Sequence, residues 1–137
     1  MKRLCYTISA LALSAASPAL ADTSAADLWE EWQAQATLTG QTVNATVTET
    51  DTGMTLTNFT TVFQDGDFTT RGAIDEVQLT ENPDGTVTVT YSELYSITFT
   101  FVIDPGDPPA NIELQMRHEN LDMRVSGDAG ARTYTYT

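Results

Sequence analysis

The chain has 137 residues, six basic side chains against nineteen acidic ones, and a formal net charge of −13. Such an excess of carboxylates repels phosphate backbones and anionic headgroups, which excludes nucleic-acid binding and disfavours adsorption to an anionic bilayer. A single cysteine, Cys5, leaves no partner for a disulfide within the chain and no thiolate metal site.

Lys2 and Arg3 precede an apolar run through Leu4, Ile8, Leu11 and Leu13, and Ala19-Leu20-Ala21 follows. This pattern predicts a secretory signal peptide over residues 1–21, cut after Ala21, and hence a periplasmic or secreted protein. The run is too short for a bilayer span and is broken by Ser14, Ser17 and Pro18. Cys5 lies far from the cleavage end, which argues against a lipid-anchored cysteine. Residues 22–137 then form a single β-rich domain with four arginines against nineteen acids, a balance of −15.

Ser24 can cap a helix, with Asp27 completing an imperfect capping box, and Ala25, Leu28, Trp29, Trp32 and Ala36 fall on one face. A helix over about 24–38, stopped near Gly40, is predicted. Its acidic outer face is unlike that of a membrane-surface helix, and the two tryptophans read as anchors on a sheet or as a lid over a ligand.

From Gln41 onward the period becomes two. Val43, Ala45 and Val47 alternate with polar residues, Asp51-Thr52-Gly53 turns the chain, and Met54 to Phe63 forms a second strand whose parity shifts between Leu56 and Phe59, the mark of a bulge or twist. After the Asp65-Gly66-Asp67 turn, Phe68 to Thr80 forms the next strand, with Gly72 at a possible bulge. Asn82-Pro83-Asp84-Gly85 turns into Val87, Val89 and Tyr91. Ile97, Phe99, Phe101 and Ile103 repeat the alternation before the proline-rich loop Asp104 to Pro109. Ile112, Leu114 and Met116 alternate again, the parity changes after His118-Glu119-Asn120 to Leu121, Met123 and Val125, and Tyr134 and Tyr136 lie on a final strand. A chain ending on a strand either finishes as a paired edge or continues in a longer protein.

The predicted fold is mainly β: an N-terminal amphipathic helix on a curved antiparallel meander sheet of about 7–8 strands, apolar on one face and threonine-lined on the other. Eight strands at about 4.8 Å span nearly 40 Å, whereas a fifteen-residue helix is about 22 Å long and about 10 Å across. One helix therefore cannot roof the apolar face. The sheet must curl, fold into two layers, pair with another chain or hold an apolar ligand.

The helix start Ala26-Asp27-Leu28-Trp29-Glu30-Glu31-Trp32, the segments Ile74-Asp75-Glu76-Val77 and Asp84-Gly85-Thr86-Val87, and the stretch from His118-Glu119-Asn120-Leu121 to Val125-Ser126-Gly127 resemble domain-of-unknown-function family 2125. The resemblance covers most of residues 22–137 and implies an exported bacterial envelope protein, either the N-terminal portion of a longer chain or a short relative. It brings no activity with it; long β-rich envelope proteins with one apolar face look similar to lipid-handling scaffolds.

Signatures of catalysis are sparse. Asp51-Thr52-Gly53 matches the aspartic-protease triplet, but Thr48, Glu49 and Thr50 precede it where that chemistry wants apolar strand residues, so a hairpin turn accounts for it better and a hydrolase at Asp51 is a remote alternative. His118, the only histidine, has no Gly-x-Ser-x-Gly partner and is expected to be an exposed turn residue. Asp65, Asp67, Asp104 and Asp107 match no calcium loop. Glu93 between Tyr91 and Tyr95 suits a sugar, but acids are too abundant here for that to weigh much. No cofactor and no metal are expected. The leading expectation is an exported, non-catalytic β-scaffold that holds lipid-like or amphipathic ligands on its apolar face. Trp29, Trp32, Val87, Val89, Tyr91, Ile97, Phe99, Phe101, Leu114 and Met116 are the candidate ligand-binding residues, each also readable as ordinary core. The alternative is an interaction module whose open edge strands pair with a protein partner or with a missing C-terminal region.

Overall fold

The structure, a computed structural model, describes residues 22–137; the expected signal peptide, Cys5 included, lies outside the described residues. Ser24 opens helix α1 (Ala25–Leu38), its hydroxyl accepting from the Asp27 amide at 3.0 Å. A second free amide of the first turn, that of Ala25, donates to the Glu81 carboxylate at 2.8 Å. The helix start is thus tied both to its own cap and to the sheet. No helix among the described residues is long and apolar enough to cross a membrane.

Eight strands follow: β1 (Gln41–Thr50), β2 (Gly53–Asp65), β3 (Phe68–Glu81), β4 (Val87–Tyr91), β5 (Leu94–Phe101), β6 (Ala110–Arg117), β7 (Asp122–Ser126) and β8 (Thr133–Tyr136). All pairings are antiparallel, and the sheet does not close. β5 ends at Phe101, so Ile103 leaves the predicted alternation and stands exposed in the proline-rich loop.

The meander has one departure from simple hairpins. β4 and β5 do not pair with each other; they lie end to end along β3, which meets β4 through Val77–Glu81 and β5 through Thr69–Ile74. Next to them, β7 pairs with β4 and β6 with β5, again end to end. The two strand breaks, at Ser92–Glu93 and His118–Leu121, align with irregularities in the neighbouring strands. β1 and β2 change register between Asn44 and Thr46, Asn58 has φ +53°, and β2–β3 pairing passes from Thr57↔Glu76 to Phe59↔Ile74. Asn120 also sits at φ +52°, a conformation that asparagine tolerates better than most residues.

These interruptions form a crease running across the sheet. Backbone bonds bridge it: the Ser92 amide donates to Glu76 at 2.9 Å, and the His118 amide to Glu93 at 3.0 Å. The Ser92 hydroxyl also accepts from the Glu76 amide at 3.2 Å, replacing a ladder bond. The crease explains the shifts of parity in the sequence. Leu56 and Phe59, like Val77 and Ile74, all pack toward the helix although an unbroken strand would send them to opposite faces.

On one side of the crease α1 covers the sheet. Leu28, Leu56, Val77, Leu79, Val87, Val89 and Val125 are completely buried there, with Ala25, Trp29, Met54 and Met123 around them. Each large side chain in this core contributes about 1.5–3 kcal/mol by leaving water. Trp29 and Trp32 both meet Phe59, at ring centroids 6.0 and 6.5 Å apart, so the helix reaches the crease and stops. On the other side the same face is uncovered: Ile112, Leu114 and Met116 of β6 remain about half exposed, and Phe68 stacks on Phe99 in the open.

Candidate functional site

The crease and the open half together make a concave, apolar site. β2 contributes Phe59 and Thr61, β3 contributes Gly72 and Ile74, and Tyr91 and Tyr95 flank the Ser92–Glu93 break. Met116 and Arg117 come from the end of β6, His118 and Leu121 from the second break, and Tyr136 from β8. They line an open cavity of about 550 Å3, within the range of about 300–1,000 Å3 typical of small-ligand sites. A depression of about 340 Å3 adjoins it across Thr61, Gly72 and Tyr95 and continues over Phe63, Ile97 and Phe99.

The floor of the open half follows from register. Tyr95 lies opposite Met116, Ile97 opposite Leu114, Phe99 opposite Ile112 and Phe101 opposite Ala110, so all these side chains share a face. The other face carries Thr98 and Thr100 against Glu113 and Asn111, with the Thr100 hydroxyl donating to Asn111 at 2.7 Å. Alternation thus makes one face greasy and the other wettable.

Polar groups gather at the crease end. The Tyr91 hydroxyl donates only to the Met123 sulfur, at 3.9 Å, a weak acceptor. Burial pushes its phenol up to about 12, helped by the neighbouring Tyr136 and Tyr134. The His118 ring meets Tyr91 edge to face, and its Nδ1 is buried with no hydrogen-bond partner. Arg117 stands at the rim, 3.7 Å from Glu93, with both side chains about two-thirds exposed. No carboxylate lines this cavity. Apolar walls with a few donors at one end suit the holding of an amphiphile.

The ten residues expected from the sequence separate into three groups. Tyr91 and Met116 line the cavity, Ile97 and Phe99 line its extension, and Leu114 and Phe101 share the open face by register. Trp32 borders a smaller depression of about 290 Å3 with Gln35, Ala36 and Val43 at the end of the helix. Trp29, on the inner face of α1, and Val87 and Val89 on the strand beneath it are buried between helix and sheet, away from the open half. Strand alternation assigns Val87 and Val89 to the apolar face, but cannot say which half of that face the helix covers.

His118 departs from expectation in another way. The sequence places it exposed in a turn, whereas it is half-buried in the cavity wall, its ring edge to face with Tyr91 and its amide bonded to the Glu93 carbonyl. Phe59, Ile74, Tyr95, Leu121 and Tyr136 were not among the candidates. The available signal was the set of parity changes, which mark where the crease passes.

Asp51 occupies the exposed two-residue turn of the β1–β2 hairpin, where Thr50 pairs with Gly53. Among the described residues, no three metal-ligating side chains come together. A depression of about 650 Å3 between α1 and the last turn is lined by Asp22, Asp27, Glu30, Glu31 and Asp128, and its single cation, Arg132, is already bonded to Glu31. No protein-family model matches the chain, and neither a curated protein nor a solved structure matches it.

Proposed function

We propose that this protein is an exported, non-catalytic β-scaffold that holds a lipid-like or amphipathic molecule against the open half of its sheet. The observation that carries this reading is the continuous apolar face from the crease cavity to Phe101, which the helix does not reach. Monomeric proteins rarely leave so much contiguous apolar surface wet unless something binds there. The signal-like residues 1–21 and the resemblance to family 2125 support export to a bacterial envelope.

Native mass spectrometry of the protein purified from a bacterial envelope tests this. Retained lipid-sized mass on the monomer is the expected result. A lipid-free monomer that also fails to take up added amphiphiles overturns the reading. A lipid-free oligomer would favour the second reading, an interaction module, which rests on the outer edge of β6, unpaired among the described residues, beside the half-exposed Ile112, Leu114 and Met116.

A further inference from the structure

We propose that the open face takes an uncharged lipid whose polar oxygen lies within its chain, as the carbonyl of an ester does, and that the hydroxyls of Thr61 and Tyr95 hold that oxygen where the two depressions meet. This rests on the reading of the open face as a lipid-holding surface and adds the chemistry of the lipid.

Register brings the two hydroxyls together. Thr61 of β2 stands opposite Gly72 of β3, in a row whose neighbours on the same face are Phe59 and Phe63. Tyr95 of β5 stands opposite Ile74, the next residue of that face on β3, and an aromatic side chain reaches such a diagonal neighbour as Gly72. Because Gly72 has no side chain, the tip of Tyr95 comes down over it from one side and Thr61 from the other. Their hydroxyl oxygens lie 2.7 and 2.6 Å from the point where a Cβ of residue 72 would stand. Thr61, Gly72 and Tyr95 are also the residues that the cavity of about 550 Å3 shares with the depression of about 340 Å3. The hydroxyl pair is therefore a polar spot with an apolar trough on each side: Phe59, Ile74 and Met116 one way, Phe63, Ile97 and Phe99 the other.

Neither hydroxyl has a hydrogen-bond partner among the described residues, and both side chains are half-buried in the trough wall, not sealed beneath it. A hydroxyl donates as well as accepts, so a carbonyl oxygen, with two lone pairs, can accept from both. Charge is disfavoured at the same spot. No carboxylate lines either depression, and Arg117, at the rim, lies opposite Leu94 and next to Met116, so alternation turns it to the threonine-lined face with Arg71 and Glu113. An ionised group at the junction would lose water without gaining a counter-ion. An anion would in addition meet a domain with four arginines among nineteen acids. An oxygen at the end of a chain reaches the hydroxyls only by leaving one trough empty, whereas an oxygen inside the chain reaches them with an apolar arm in each.

The test sets probes of matched chain length against diphenylhexatriene, a neutral fluorescent polyene that they displace from the protein: hexyl hexanoate, dihexyl ketone, tridecane, dodecanol and dodecanoate. The ester and the ketone, whose oxygen is central, should displace best. Thr61→Val and Tyr95→Phe each remove one hydroxyl and keep the shape. Each should weaken hexyl hexanoate about fivefold, the scale of one neutral hydrogen bond, and leave tridecane unchanged. Thr98→Val removes a hydroxyl from the other face and should change neither. Tridecane, dodecanol or dodecanoate displacing as well as the ester overturns the assignment of an inner oxygen but keeps the lipid-holding function. An unchanged ester affinity in Thr61→Val or in Tyr95→Phe, or equal losses of ester and tridecane, does the same. Failure of every probe, diphenylhexatriene included, overturns both. The comparison of ester with alkane is made on the unaltered protein, so it decides the matter without any variant having to fold.

Discussion

Gly53 and Gly72 both need the absence of a side chain, for different reasons. At Gly53 φ is +143°, and a Cβ would collide with the backbone carbonyl of Leu79 on the neighbouring strand. Neither the torsion nor the backbone can yield, so Gly53→Ala should cost about 3 kcal/mol, the upper range for overpacking, read as a lower urea midpoint. At Gly72 a Cβ would meet side chains alone, the Thr61 hydroxyl at 2.6 Å and the Tyr95 hydroxyl and ring at 2.7 and 3.3 Å. Both are ends of side chains that can swing aside. Gly72→Ala should therefore change stability by no more than about 1 kcal/mol, while displacing Tyr95 from the junction of the two depressions and weakening amphiphile binding. A thermal melt beside the displacement assay separates the two effects.

Tyr91 gives a pH signature at the same scale. Its pKa is raised from 10 to about 12, first by burial and then by Tyr136 and Tyr134, so the folded state holds the phenolic proton more tightly than the unfolded chain does. The resulting stability is fully present below pH 10 and is lost as the pH rises toward 12. Urea titrations of the wild type should show stability falling across that window. Tyr91→Phe should flatten that fall, and an unchanged slope would place the alkaline sensitivity elsewhere.

Among the elements, α1 is fixed at both ends of its first turns by long-range contacts. The Thr23 amide donates to Gly85 at 3.0 Å, and the Thr23 hydroxyl donates to the Gly127 carbonyl at 3.0 Å while accepting from Arg132 at 2.9 Å. Arg132 also bonds Glu31 on the helix at 3.0 Å, with both side chains largely buried. Removing one member of a buried pair strands the other charge, so Arg132→Met should cost about 3 kcal/mol, the low end of the usual 3–5. The double variant Glu31→Leu with Arg132→Met should recover part of that loss. A double-mutant cycle showing no coupling would mean that the pair does not hold the helix.

The same elements show what the sequence could reveal. The helix bounds were legible because Ser24 and the spacing of Leu28, Trp29 and Trp32 are local features, and so were the hairpin turns. The shift between Leu56 and Phe59 announced an irregularity in β2. What it could not announce is that Asn58, the 92–93 break and the 118–121 break line up, because alignment across strands depends on register and not on any one segment. For the same reason Val87 and Ile97 looked equivalent: they have the same alternation, yet one is sealed beneath α1 and the other lies beyond its reach. His118 was misread as an exposed turn residue because a break inside a sheet has the same composition as a turn at its edge.

At the scale of the whole molecule, the crease divides one sheet into a half whose apolar face is covered by α1 and a half whose apolar face is open. Local opening free energies follow buried apolar contact and protected backbone bonds. Amides of β4 and the Val77–Glu81 part of β3 should therefore exchange with deuterium slowest, and those of β6, an edge strand beside half-exposed side chains, among the fastest. Addition of hexyl hexanoate discriminates between the two readings of that open half. A ligand lying on the face should slow exchange across β5 and β6 together, on amides that already pair with each other, at any protein concentration. Pairing of the β6 edge with another chain should instead slow only the β6 amides that point away from β5. That protection should rise with protein concentration and need no added amphiphile. The first pattern is expected, because the apolar area to be covered spans both strands and the cavity behind them, whereas an added strand would satisfy the edge and leave the face wet.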